Sequence, residues 1–314
     1  MKILITGATG FIGAHLLEHL VSKTKNEIVI LKRSFSNTWR IRKYIDKLKT
    51  FDVDKEDVFG IIKRVRPDIV IHLATYYRKY HSYQELPILM DSNINFPARI
   101  LEAMASENIK FFINTGTFFE CICAENSFTP RSLTKPFNLY ASTKLAFEEI
   151  MKFYLYNCDM KGVTLKLFSP YGYKDNPNKL IPYLISRILK DEEAEVTAGE
   201  QALDFTYVKD IVKAYIRAIE YLSHMKEPYQ IFEIGMGAPH KIREIIFSLE
   251  KISGKTLKAK WGTIPYAENE IFYSKANITN TLNFLKWIPE YNLEEGLKET
   301  YEWYKMMGEE NGPK

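Results

Sequence analysis

Cysteine is scarce. Cys121, Cys123 and Cys158 are the only three in 314 residues, an odd number with no CxxC pair. That excludes a disulfide framework and a zinc ribbon, and it favours a reducing compartment, so a cytoplasmic location is expected. No apolar run approaches the ~18 residues that a membrane span requires. The N-terminal MKILITGATGFIGAHLL begins like a secretion signal, but three glycines interrupt it and charged helical sequence follows. Long blocks of like charge are also missing. With 43 basic and 39 acidic residues the formal net charge is +4, which offers no arm for nucleic acid or a membrane and only a mild preference for anionic ligands. A metal site is not expected either. His15 and His19 share one helix face at a usable spacing, yet no third ligand accompanies them.

What is present is an alternation. Short apolar runs bounded by turn residues, KILIT, EIVIL, DIVIHLA, FFINT, VTLKLF and YQIFEIG, predict buried strands. Helical periodicity covers 10–23, 55–64, 90–107, 139–157 and 210–222. Strands alternating with helices of that length predict an α/β fold, a mostly parallel sheet covered on both faces. After Tyr173 the pattern shifts to KLIPYLISRILKD and, beyond Gly237, to IREIIFSLEKIS and LEEGLKETYEWYKMM. These segments read as a smaller lobe made of two separated pieces. On that reading 1–172 and 204–236 form the larger lobe, and 173–203 and 237–314 the smaller. At 46% hydrophobic content the chain can bury a large core. The closing GEENGPK reads as frayed.

The first chemical signal is TGATGFIG, with Gly7, Gly10 and Gly13 directly after the first strand. Glycines there permit a tight turn, a close backbone approach to a pyrophosphate and close helix packing, while the helix N-terminus faces the negative charge. Where a dinucleotide site usually carries an acid for the adenosine ribose, the chain reads LKRSFSN. A carboxylate at that place disfavours a 2′-phosphate, whereas the Arg33 guanidinium, with Ser34 beside it, can pair with one. NADP(H) is therefore the expected cofactor and NAD(H) the alternative. Asp52 and Val53 stand where a later loop reaches the adenine.

The second signal is YASTK. Tyr140 and Lys144 are four apart in a helical pattern, one turn from each other on one face. A lysine ammonium beside a phenol is expected to lower the phenol pKa from its ordinary ~10 toward the working range. On its own such a spacing is a common surface pair. Here it follows a strand end, INTGTFF, that offers hydroxyls and no carboxylate.

Together these motifs are similar to the extended short-chain dehydrogenase/reductases, in particular the NAD-dependent epimerase/dehydratase family acting on nucleotide sugars. TGATGFIG, HLAT, SNINFPARILEA, INTGT, YASTK, LKLFSPYG, DFTYVKDI, FEIGMG and LEEGLKETYEWY follow the family's order over nearly the whole chain. The resemblance implies a Rossmann doubly wound sheet, a smaller substrate lobe, a homodimer through the helices at 90–107 and 139–157, and a nucleotide-sugar substrate. It implies Thr115 as the hydroxyl that orients substrate, with Thr117 as a second or the real one, Tyr140 as acid/base and Lys144 as its partner on the nicotinamide ribose. Cofactor contacts are expected from Gly7, Gly10, Phe11, Ile12, Gly13, Arg33, Ser34, Asp52, Val53, Leu73, Ala74, Thr75, Tyr140 and Lys144. Substrate contacts are expected from Thr115, Thr117, Tyr76, Ser169 and Lys179.

Family 4,6-dehydratases follow that threonine with an Asp-Glu pair, because eliminating water needs an acid and a base besides the tyrosine. This chain has Gly116 and Thr117 instead. INTGTFF with NLYASTK resembles the abequose and paratose synthase branch, which implies NADPH-dependent reduction of a nucleotide-linked 4-keto-6-deoxyhexose. The alternative is an epimerase with tightly held NAD. Leu203 and Ala267 stand where the family has diphosphate-binding arginines, and Ser169 where it has asparagine, so either Lys179, Arg187, Lys209 or Arg243 replaces the lost contacts or the substrate is not an ordinary nucleotide diphosphate sugar. His72 reads as a packed structural histidine, Asn93 as a loop anchor, and Tyr76, Tyr77 and Tyr80 as either pocket wall or exposed loop.

Overall fold

A computed structural model describes residues 1–120 and 136–309. Cys121, Cys123 and the end of GEENGPK lie outside the described residues. The chain opens with β1 (Lys2–Thr6), α1 (Phe11–Lys23), β2 (Glu27–Lys32), β3 (Lys49–Asp52), α2 (Val58–Val65) and β4 (Ile69–His72). A broken helix follows: α3 (Leu86–Met90), a π turn (Asp91–Asn95) and α4 (Phe96–Ser106). Next come β5 (Phe111–Thr117), α5 (Leu139–Asn157) and β6 (Lys161–Leu167). The remainder is β7 (Pro170–Tyr171), α6 (Leu180–Lys190), β8 (Ala194–Val196), β9 (Ala202–Leu203), β10 (Thr206–Tyr207), α7 (Val208–Leu222), β11 (Tyr229–Ile234), β12 (His240–Lys241), α8 (Ile242–Ser253), β13 (Ala259–Trp261) and α9 (Leu293–Glu309).

Seven strands form one sheet in the order β11-β6-β5-β4-β1-β2-β3, and every pairing in it is parallel. The side-chain period of two divides its core. Ile3 and Ile5 pack with Leu16, Leu17 and Leu20 of α1 and with Ile211 and Tyr215 of α7. Leu4 and Phe112, from the other face, pack with Ile61 of α2, Met104 of α4 and Phe147 of α5. Burying each such side chain contributes roughly 1.5–3 kcal/mol, which is why short, nearly all-apolar strands were legible as buried. A third cluster joins α6, α8 and α9 through Leu184, Ile245, Leu249 and Leu297.

The sheet contains one strand that the apolar runs do not announce. β3 reads KTFD, is half-exposed along its length, and pairs only with β2 at the sheet edge. Helix α2 starts at Val58 rather than 55 because the Asp57 carboxylate accepts from Phe59 and Gly60 N–H at 3.0 and 3.3 Å. Strand order reverses between β1 and β4, so their C-terminal ends diverge and open a crevice, the usual ligand position in such sheets.

Candidate active site

The crevice is a cleft of about 1310 Å³, bounded by the β1–α1 turn, the ends of β4, β5 and β6, and the start of α6. Gly7, Gly10, Phe11, Ile12 and Gly13 form its floor. Gly7 has φ +73°, and a Cβ there would lie 2.5 Å from the Ala74 nitrogen. At Gly13 a Cβ would lie 2.2 Å from the Gly7 carbonyl oxygen. Only glycine fits the cradle, and α1 begins over it with no side-chain cap, so its first N–H groups are open to an anion. Leu73, Ala74 and Thr75, after β4, form the adjoining wall.

At the far end of the floor, Arg33 and Val53 line the cleft while Ser34 and Asp52 stand just behind. The stretch is less basic than its sequence suggests. The Arg33 guanidinium is ion-paired with Asp54, whose other oxygen accepts the Ser34 N–H at 2.8 Å. Ser34 Oγ donates to Asp52 at 2.7 Å, a hydrogen bond that holds the Asp52 carboxyl below its usual range. The edge strand β3 and the turn after it thus return two carboxylates to a place where LKRSFSN alone showed none.

The opposite end carries the hydroxyls. Asn138 caps α5 by accepting the Ala141 N–H at 2.9 Å and donates from its amide to the Lys79 carbonyl at 3.1 Å, which ties the helix start to the loop after β4. Tyr140 is therefore fixed on the cleft wall, its hydroxyl bonded to Thr75 and its ring edge-on to Tyr77 at 5.0 Å. Thr75 in turn donates to Asn93 at 3.0 Å, and Asn93 also accepts from Tyr76 N–H and donates to Thr143. Asn93 anchors the loop. Lys144 is buried one turn behind Tyr140 and does not reach the wall.

The two threonines of β5 differ. Thr115 Oγ donates to the His72 carbonyl at 2.8 Å and pairs with Tyr215 OH at 2.6 Å. Thr117 also lines the cleft, but its oxygen only accepts, from Phe119 N–H at 3.4 Å. Its hydroxyl hydrogen has no partner among the described residues, so Thr117 is the one free to engage a ligand oxygen. Gly116 faces the other side of the strand, where Glu120 is fully buried and its carboxylate accepts the Thr117 N–H at 2.8 Å.

Protonation departs from the sequence expectation. The Tyr140 phenol is pushed up, first by burial and then by the charge of Glu120. Lys144 is pushed down to about 8 by burial, with Glu120 and Glu148 opposing. Desolvation dominates at the phenol. The phenol holds its proton at neutral pH.

Of the expected substrate contacts, Tyr76, Ser169 and Lys179 line the cleft with Thr115 and Thr117. Ser169 holds φ +25°, a left-handed backbone that asparagine tolerates better. Lys179 stands at the start of α6, 3.2 Å from the Asp175 carboxylate. Arg187, Lys209 and Arg243 do not take the place of the missing arginines. They pair with Glu192, Glu299 and Glu200 away from the wall. Leu203 is on the wall and Ala267 is not. Tyr77 lines the cleft, whereas Tyr80 is exposed. His72 is buried against Thr6 at 2.8 Å, and His15 bonds the Tyr173 carbonyl at 2.9 Å with its imidazole pushed down to about 4 by burial. Among the described residues no group of His, Cys, Asp and Glu could hold a metal ion, and no helix is long and apolar enough to cross a membrane.

Four residues at this end were not singled out from sequence: Tyr215, Glu120, Lys166 and Glu148. The available signal was slight, an acid among aromatics in TFFE and a lysine inside the otherwise apolar VTLKLF.

The profile of the NAD dependent epimerase/dehydratase family matches residues 3–235. The CDP-abequose synthase of Salmonella muenchen is 30% identical over 300 residues, covering 95% of this chain and 96% of that protein. The UDP-glucuronate 4-epimerase of Thermodesulfobacterium geofontis is 30% identical over 320 residues, covering 96% and 95%. Among solved structures, the UDP-glucuronic acid 4-epimerase of Bacillus cereus in complex with UDP-glucuronic acid and NAD is 26% identical, with a TM-score of 0.84 over 98% of this chain and 100% of that one. The UDP-glucose 4-epimerase of Thermotoga maritima, with UDP-glucose, has a TM-score of 0.87 over 98% and 99% at 24% identity.

Proposed function

The chain belongs to the NAD dependent epimerase/dehydratase family, and on that premise we propose that it reduces the 4-keto group of a nucleotide-linked 6-deoxyhexose. The observation that carries this reading is the strand end: Gly116 and Thr117 stand in the chain where elimination would need carboxylates, and a protonated Tyr140 lines the same cleft as Thr117. The glycine cradle fits a dinucleotide, which when bound supplies hydride to the carbonyl carbon. Tyr140 gives its proton to the carbonyl oxygen, and Lys144 compensates the phenolate left behind. Thr117 holds the oxygen in line, while Thr115 is braced against Tyr215. Lys179, beside the N-terminus of α6, is the diphosphate contact in place of the arginine replaced by Leu203.

A panel of nucleotide 4-keto-6-deoxy sugars, offered with NADPH or NADH and followed at the nicotinamide absorbance, tests the reading. Stoichiometric consumption is expected with at least one sugar. Formation of a 4-keto-6-deoxy product from an intact nucleotide hexose would overturn it. A second reading, an epimerase keeping NAD bound, is favoured by one observation, the pairing of Arg33 with Asp54. It requires that NAD co-purify and that no net consumption occur.

Our reading keeps NADPH as the reductant, with the Arg33 guanidinium turning from Asp54 to the 2′-phosphate. Arg33→Asp is then expected to weaken NADPH by about 1.5 to 3 kcal/mol and to spare NADH. Titrating both cofactors by fluorescence checks this, and equal losses would exclude Arg33 as the selector.

We also propose a homodimer through α4 and α5. On α5, Phe153 and Tyr156 are 62% and 60% exposed, and Leu145 and Ile150 flank them half-buried. Sedimentation at micromolar concentration should give twice the 36.7 kDa chain mass, and Phe153→Glu should halve it.

A further inference from the structure

Behind β5, on the face away from the hydroxyls, lies a buried charged layer for which the reaction proposed above has no use. Its centre is Lys166 of β6, 3.2 Å from Glu120 and 3.5 Å from Glu148 of α5. Lys166 and Gly116 are directly paired across the two strands. A Cβ at Gly116 would lie 3.0 Å from Lys166 Cγ and 3.1 Å from Glu120 Oε1, so the missing side chain is what lets the carboxylate tuck against the strand. The turn that carries Glu120 packs on α5, the helix of Tyr140 and Lys144.

We propose that Glu120 is a positioning residue for the reduction: its buried carboxylate fixes the strand end at Thr117 and sets a negative charge behind Tyr140 and Lys144, so that both keep their protons until the substrate carbonyl is in place. The proposal rests on the reductase reading of the cleft. The first half follows from the Thr117 N–H, which donates to Glu120. That bond fixes the backbone carrying the hydroxyl free to meet a ligand. The second half follows from charge in a dry layer, where a unit charge acts far more strongly than in water. Among the described residues, the titratable groups facing Glu120 are Lys166 from β6, Tyr140, Lys144 and Glu148 from α5, and Tyr229 from β11. Glu233 of β11 faces Lys166, and Lys152 of α5 pairs with Glu148 at its outer side. Burial pushes the Glu120 carboxyl above its usual range and Glu148 adds to the rise, while Lys166, Lys144 and the Thr117 N–H favour its ionised form.

Glu120→Gln separates the two roles, because the amide oxygen still accepts the Thr117 N–H while the charge is gone. It should leave thermal stability and dinucleotide affinity near native and move the alkaline limb of kcat/KM to lower pH by about one unit. Glu120→Ala, losing both roles, should also raise KM. An unchanged pH profile in Glu120→Gln would overturn the proposal, as would a Gln variant indistinguishable from the Ala variant in every parameter. A measurement on the native protein covers the case in which neither variant folds. The near-ultraviolet phenolate signal of Tyr140, isolated by subtracting Tyr140→Phe, should stay absent up to the ordinary phenol pKa of about 10. Ionisation of Tyr140 well below that pH would refute the role of Glu120. Since that titration needs no substrate, early ionisation would overturn the proposal even if no nucleotide sugar is reduced, which would count against the reductase reading alone.

Discussion

Tyr140→Phe should lower turnover by about two to four orders of magnitude, the usual contribution of a positioned general acid. The substitution keeps the ring that meets Tyr77 edge-on and removes only the hydroxyl bonded to Thr75. Fold and dinucleotide affinity are therefore expected to stay close to native, and the loss should fall on kcat with KM little changed. That split marks a group acting in the transition state and not in ground-state binding. Single-turnover reduction with a saturating nucleotide 4-keto sugar measures the chemical step directly. Near-native turnover in the variant would remove Tyr140 from the mechanism and transfer the proton to Thr117 or to water.

The second large effect is expected at Gly13. An added Cβ would sit 2.2 Å from the Gly7 carbonyl oxygen and 2.9 Å from Ala8 Cα, both backbone, so no side-chain rotation relieves it. Helix α1 must lift off the turn, or the turn must open, and either change spoils the cradle over which the helix N-terminus stands. Gly13→Ala is thus expected to lose at least about 100-fold in dinucleotide affinity and to melt lower, since overpacking typically costs 1–3 kcal/mol. Gly60→Ala is the matched control. Nothing lies within 4 Å of a Cβ there, and the residue is inside α2, so it should gain about 0.5–1 kcal/mol. Calorimetric titration and thermal melting of both variants settle the comparison, and native dinucleotide affinity in Gly13→Ala would sink the cradle assignment.

The parts legible in the sequence were those governed by local pattern. KILIT, VTLKLF and their kin showed as strands because both faces of each are buried, which leaves a continuous apolar run. The helix at Leu139–Asn157 was readable to the residue from its periodicity. β3 was not, because an edge strand paired on one side carries no such run, and with it went Asp54 and the neutralised Arg33. Other parts depend on partners far apart in the chain. Thr115 meets Tyr215 from 100 residues away, and that contact makes Thr117 the freer hydroxyl. The upward shift of Tyr140 was also hidden, since spacing reveals a neighbouring lysine but neither the burial nor the Glu120 charge that raise the phenol.

Gly116 also bears on how this cleft can change over evolutionary time. A carboxylate at that position would place its Cβ 2.9 Å from Thr164 Cγ2 and set a third acid beside Glu120 and Glu148. Installing it requires the side chains of Thr164, Lys166 and Glu120 to shift. Giving up Glu120 first passes through a protein whose strand end has lost its brace at Thr117. A carboxylate at this position is thus opposed by the layer behind the strand end, whatever the ligand in front of it.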